Sequence, residues 1–110
     1  MNIEFRYMYR DMGNFKNYGV VVFGNRINRN PEEIRKQIFC FLSSDNIFKA
    51  SELRIPDLFF KNYPYDSELD HEMHEFFEVS ETELPASDAI QRDIADLLLD
   101  MEKQSFVGKC

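Results

Sequence analysis

Two histidines stand three residues apart in DHEMHE, Asp70 to Glu75, and they are the only histidines in the chain. Carboxylates surround them at Asp70, Glu72 and Glu75. On a helix, positions i and i+3 share a face, so His71 and His74 could meet one metal ion with Asp70 as a further ligand. The spacing is not that of the H-E-x-x-H zinc signature, whose histidines are four apart with a glutamate as base. In an extended segment the two rings would point apart. His71, His74 and Asp70 are thus an incomplete metal set beside the simpler reading of a solvated acidic turn, and the sequence assigns no metal and no cofactor.

The histidines lie inside a longer acidic run, with carboxylates at Asp66, Glu68, Asp70, Glu72, Glu75, Glu78, Glu81 and Glu83. A hydrolase built on paired carboxylates needs two of them in one cleft with one pKa raised. Regular spacing along a solvated face gives no such sign, and the sequence offers no catalytic residue and weighs against an enzyme. Recognition is the sharper use. Tyr63, Tyr65, Phe76 and Phe77 interleave with the acids, and aromatic anchors among charges suit a protein-binding face. The expected contact set is Tyr63, Tyr65, Asp66, Glu68, Asp70, Glu72, Glu75 and Glu78, facing a partner with a basic surface.

Charge distribution supports that partner type. Residues 1–61 hold ten Lys and Arg against seven Asp and Glu, whereas residues 62–110 hold three against thirteen, giving the formal net charge of −7. No basic residue occurs between Lys61 and Arg92. An acidic half repels phosphates and anionic membranes. The N-terminal half keeps a nucleic-acid alternative, in which Arg6, Arg10, Lys16 and Arg26 flank hairpin aromatics (Phe5, Tyr7, Tyr9, Phe15, Tyr18, Phe23) that could stack bases. Core packing explains alternating aromatics more simply, so nucleic acid is disfavoured.

The loop YRDMGNFKNYG has its glycines, Gly13 and Gly19, six apart and feeds a strand, unlike a phosphate cradle. Its single acid, Asp11, is too few for a calcium loop. Phe15, Lys16 and Asn17 remain as tip contacts.

These residues need a scaffold, and hydropathy patterning outlines one. Ile3, Phe5, Tyr7 and Tyr9 alternate with Glu4, Arg6, Met8 and Arg10, which predicts a half-buried strand. YGVVVF, residues 18–23, is apolar on both faces and suits a central strand paired to the first as a hairpin. Asn30, Pro31, Glu32 and Glu33 form a helix start, followed by Ile34, Ile38, Phe41 and Leu42 on one face. The middle is irregular, and Pro56 keeps any strand there at an edge or interrupted. A partly alternating strand is expected from about Glu75 to Glu81. A second helix is expected from a cap at Ser87 or Asp88, with Asp88 and Gln91 as a capping box and Ile90, Ile94, Leu97, Leu98 and Met101 as its stripe.

The expectation is one α+β domain over 1–110, with a loose tail from about 105. An antiparallel sheet of three to four strands carries two amphipathic helices on one face. Cys40 reads as a buried core thiol and Cys110 as a mobile end, both fitting a reducing cytoplasm. MNIEFRYMYR lacks a secretion-signal pattern and no run approaches membrane-spanning length. The expected protein is small, acidic and cytoplasmic, and acts by protein–protein binding, as an inhibitor or immunity-type factor would. The alternatives are a metal or enzyme site at His71 and His74, and the basic hairpin on nucleic acid.

Overall fold

Alternation in the first ten residues builds the centre of the sheet. In the computed structural model, which describes residues 1–10, 15–42, 46–59 and 73–104, strand β1 runs Asn2–Arg10. Ile3, Phe5, Tyr7 and Tyr9 are all buried on one side. Strands β2 (Lys16–Phe23), β3 (Ile47–Lys49) and β4 (Met73–Thr82) complete an antiparallel sheet in the order β2-β1-β4-β3. Helices α1 (Pro31–Phe41) and α2 (Ile94–Gln104) make the fold α+β, as expected.

The structure corrects the place of β2. It is an edge strand, and its valines divide between two environments. Val21 and Phe23 enter the core, Val22 is covered beside Ser87, and Val20 stays 49% exposed. An apolar run on both faces therefore reflects a local cover over one residue, not a central position.

Strand β4 begins earlier than the sequence suggested, and its imperfect alternation has a physical cause. Its register against β1 passes from Arg6↔Glu78 to Tyr7↔Phe76, so Phe77 is an extra residue in a β-bulge. The bulge lets His74, Phe76 and Val79 all face the core while Phe77 points to solvent.

Helix α1 starts as its sequence requires. The Asn30 side chain accepts from the Glu32 N–H at 2.7 Å, and Pro31 opens the first turn. Ile34 and Ile38 are fully buried. Helix α2 starts at Ile94, not near Ser87. Asp93 accepts from the Ala95 N–H, and Asp96 accepts from the Asp93 N–H, so the reciprocal box is Asp93 with Asp96. Ile90 is consequently outside the helix and exposed, while Ile94, Leu97, Leu98 and Met101 are buried.

Both helices share one cluster with Ile3, Phe5, Tyr7, Val21, Phe23, Phe76 and Val79. Because those strand residues all face one side of the sheet, Phe76 and Val79 through the bulge between them, the helices cover one face. Phe5 is the aromatic hub, with its ring centre 5.4 Å from Phe76 and 6.3 Å, edge-on, from Phe23. Among the described residues the opposite face carries no helix.

Candidate functional site

Of the expected contact residues, Tyr63, Tyr65, Asp66, Glu68, Asp70 and Glu72 lie outside the described residues, as does His71. His74, Glu75 and Glu78 lie on β4.

His74 is a core residue, 1% exposed, ringed by Tyr7, Tyr9, Phe48 and Phe59 at centroid distances of 5.2–6.2 Å. Its Nε2 accepts the backbone N–H of Leu58 at 2.9 Å. That nitrogen's lone pair is committed to holding an irregular segment, residues 55–59, against the core face. Two other side chains hold the same segment: the Tyr7 hydroxyl donates to the Pro56 carbonyl, and the Asn17 amide donates to the Leu58 carbonyl at 3.0 Å. Burial, followed by the negative charge of Asp57, pushes the Tyr7 phenol up to about 12. Asn17 is thus structural and not a free tip contact, whereas Phe15 is exposed. Among the described residues no cluster of three His, Cys, Asp or Glu could hold a metal ion.

The two described acids of the expected contact set are already paired. Glu75 accepts from Arg10 Nε at 3.1 Å. Glu78 accepts from Arg35 Nε at 2.7 Å and from the Val79 N–H at 2.9 Å, while Arg35 also donates to the Val79 carbonyl. Strand β3 pairs only with residues 73–75 of β4, so this clamp fills the β4 edge where β3 stops. Burial raises the Glu78 carboxyl, but the Arg35 and Val79 hydrogen bonds and the charges of Arg35 and Arg6 outweigh it and hold the group below its ordinary value.

What the fold does expose is the uncovered sheet face. Tyr18 and Phe77, 58% and 55% exposed, meet across β1 with ring centres 6.0 Å apart in an edge-on contact. Val20 stands beside them. Together with Glu4, Arg6 and Gly19 they line a shallow depression of about 330 Å³. Arg6 is paired with Glu4 at 3.2 Å, so the patch is apolar and aromatic with a balanced charge at its centre. Sequence reading placed Tyr18 among base-stacking aromatics and Phe77 among acidic-stretch anchors. Only the bulge brings the two to one face.

The base-stacking set itself separates. Phe5, Tyr7, Tyr9 and Phe23 are buried, leaving Phe15 and Tyr18 at the surface. Arg6, Arg10 and Arg26 each sit against a carboxylate, Arg26 lying 3.6 Å from Asp93.

No family model, curated protein or solved structure matches this chain.

One cluster escaped sequence reading. Asp88, expected as a helix cap, is buried and takes a bidentate pair of hydrogen bonds from Arg92, Nε at 2.9 Å and Nη2 at 3.1 Å. Arg92 also donates to Asp100 at 3.0 Å and to the Arg54 carbonyl, and lies 5.4 Å over the Phe23 ring. Arg54 completes the set through Asp100 at 2.9 Å. The i, i+4 spacing of Asp88 and Arg92 was the available signal. Every charge in the set has a partner, so it ties the 88–92 segment to α2 and the 50–55 turn without leaving a group poised for proton transfer.

A second cavity of about 290 Å³ lies among Phe41, Leu42, Phe48, Leu53, Met73 and Met101 and is predominantly apolar. Cys40 is half-buried on α1 and disulfide-bonded, which corrects its reading as a free core thiol. No helix among the described residues is long and apolar enough to cross a membrane.

Proposed function

We propose that this chain acts by binding another protein, one with a basic surface, and that the uncovered sheet face is the centre of contact. The observation that carries the reading is the exposed trio Tyr18, Val20 and Phe77 on a face that no helix covers among the described residues. Large exposed aromatics in a shallow patch, around one balanced ion pair of Arg6 with Glu4, resemble the aromatic anchors of protein interfaces. The net charge of −7 favours a basic partner and adds electrostatic steering. The proposed contact set also includes, by its acidic and aromatic composition, Tyr63, Tyr65, Asp66, Glu68, Asp70 and Glu72, together with Glu75 on β4. Glu78 contributes less, being held by Arg35. An inhibitor or immunity-type role against a basic target is the form of activity this composition suits.

The test compares immobilised wild type with Phe77→Asp in capture from lysate at low and raised salt. A basic protein retained by the wild type, released by salt and lost on Phe77→Asp is the expected result. Retention that ignores both the variant and the salt refutes the reading.

A cytoplasmic setting is part of the proposal, and Cys40 is the residue that checks it. The Cys40 disulfide fits an oxidising setting, and a reducing compartment would have to break it and hold Cys40 as a thiol. Alkylation in intact cells should then modify it, and protection of Cys40 would instead place the chain in an oxidising compartment.

A further inference from the structure

We propose that a second copy of this chain pairs with the outer edge of β2, antiparallel, across a two-fold axis at Tyr18. The backbone carries the argument. In the β1–β2 ladder, Glu4↔Val22, Arg6↔Val20, Met8↔Tyr18 and Arg10↔Lys16 are cross-strand neighbours of one parity. The Val22 N–H donates outward to Ser87 Oγ at 2.9 Å, and the Val22 carbonyl accepts from the Ser87 and Asp88 N–H groups at 2.9 and 3.2 Å. Val22 therefore belongs to the set whose main-chain groups point away from β1. By the period of two, so do Val20, Tyr18 and Lys16. Among the described residues nothing bonds their outward N–H and C=O groups.

The open window is bounded. Ser87 closes it at Val22, and β2 itself ends at Lys16. Only one antiparallel register uses the whole window on both copies: Tyr18 opposite Tyr18, and Lys16 opposite Val20 in each direction. Each of these is a pair that exchanges both hydrogen bonds. Slipping by two residues towards Val22 meets the closed position, and slipping the other way loses a pair. The register also keeps the two Lys16 side chains from facing each other directly. No proline or bulge blunts β2 between Lys16 and Val20, although edge strands commonly carry such protection. The other edge is short at β3 and sealed by Arg35 on β4, so pairing closes at two copies instead of propagating. The product is a continuous sheet through both copies.

This interface rests on the main-chain groups of Lys16, Tyr18 and Val20, whereas the heteromeric contact rests on the side chains of Tyr18, Val20 and Phe77, and the salt dependence of self-association runs the other way. Two chains of −7 repel, so added salt should tighten self-association while weakening a basic partner.

Sedimentation over a broad concentration range should show a mass rising from 13.1 kDa towards twice that value. Hydrogen exchange should slow at the Lys16, Tyr18 and Val20 amides as concentration rises. Val20→Lys sets Lys against Lys16 twice and should weaken association roughly 2- to 30-fold, whereas Val20→Glu should tighten it by a similar factor. Tyr18→Pro removes an outward N–H that β1 does not use, and should give a folded monomer. If circular dichroism shows Tyr18→Pro unfolded, the opposed Val20 variants decide. A chain that stays monomeric throughout, a dimer indifferent to a folded Tyr18→Pro, or Val20 variants that move together would each overturn the proposal.

Discussion

Replacing Arg92 with Met tests the buried charge cluster, because Met keeps an unbranched stem while removing the guanidinium. Arg92 and Asp88 side chains are only 5% and 1% exposed. Without Arg92, the Asp88 carboxylate keeps one bond, from the Arg92 backbone N–H at 2.9 Å, and stays buried without a counter-charge. Asp100 retains Arg54 and loses less. Breaking one side of a buried pair costs about 3–5 kcal/mol, against a total domain stability of roughly 5–15 kcal/mol. With a urea slope of about 1–3 kcal/mol/M, the midpoint should fall by about 2 M. Circular dichroism is the suitable probe, since the chain has no tryptophan.

The pH dependence makes the mechanism separable from simple packing loss. Burial raises the Asp88 carboxyl, but the hydrogen bonds from Arg92, then its charge and that of Arg54, outweigh it and hold the group below its ordinary value. Asp100 is likewise held low by Arg54 and Arg92 against the opposing effect of burial. Groups with depressed folded pKa stabilise above their unfolded pKa, near 4, and lose that contribution as pH falls through the folded value. Wild type should therefore weaken below about pH 4. In Arg92→Met the deficit should shrink between pH 7 and pH 4, because a desolvated Asp88 without its partner binds a proton readily. Adding Asp88→Asn should recover part of the loss at pH 7. A deficit under about 1 kcal/mol, or one equal at both pH values, would refute the reasoning.

At the alkaline end, Tyr7→Phe should remove the component of the tyrosinate absorbance titration centred near pH 12. A raised folded pKa stabilises fully below the unfolded value near 10 and is lost as pH rises through the folded one, so wild type should weaken above pH 10 and Tyr7→Phe should lack that part of the slope. His74→Leu leaves the Leu58 N–H without its acceptor and should cost about 1–3 kcal/mol by urea denaturation. His74→Gln, which keeps an acceptor, should cost less, and the opposite order would show that ring packing alone matters.

Local rules made much of the fold legible. The alternation of Ile3 to Tyr9 named a strand and its buried side, and Asn30-Pro31-Glu32-Glu33 named a helix start that the structure reproduces atom by atom. Such signals depend on neighbours within a turn of chain. Asp88 and Asp93 show where they stop. Both precede the same apolar stripe and both can cap, and the choice between them was made by Arg92, which drew Asp88 into the interior and left Asp93 to the helix. Of the candidate site, the sequence supplied Tyr18 and Phe77 as separate aromatics on distant strands.

The sequence by itself determined an α+β chain with two amphipathic helices and a charge of −7, because periodicity and composition are local or summed properties. The tertiary structure alone decided that β2 lies at the edge, that His74 is packed among aromatic rings, and that one bulged residue brings Phe77 to Tyr18. Strand order and bulges arise from contacts between residues as far apart as Arg6 and Glu78, and no local pattern encodes which strand will lie beside which.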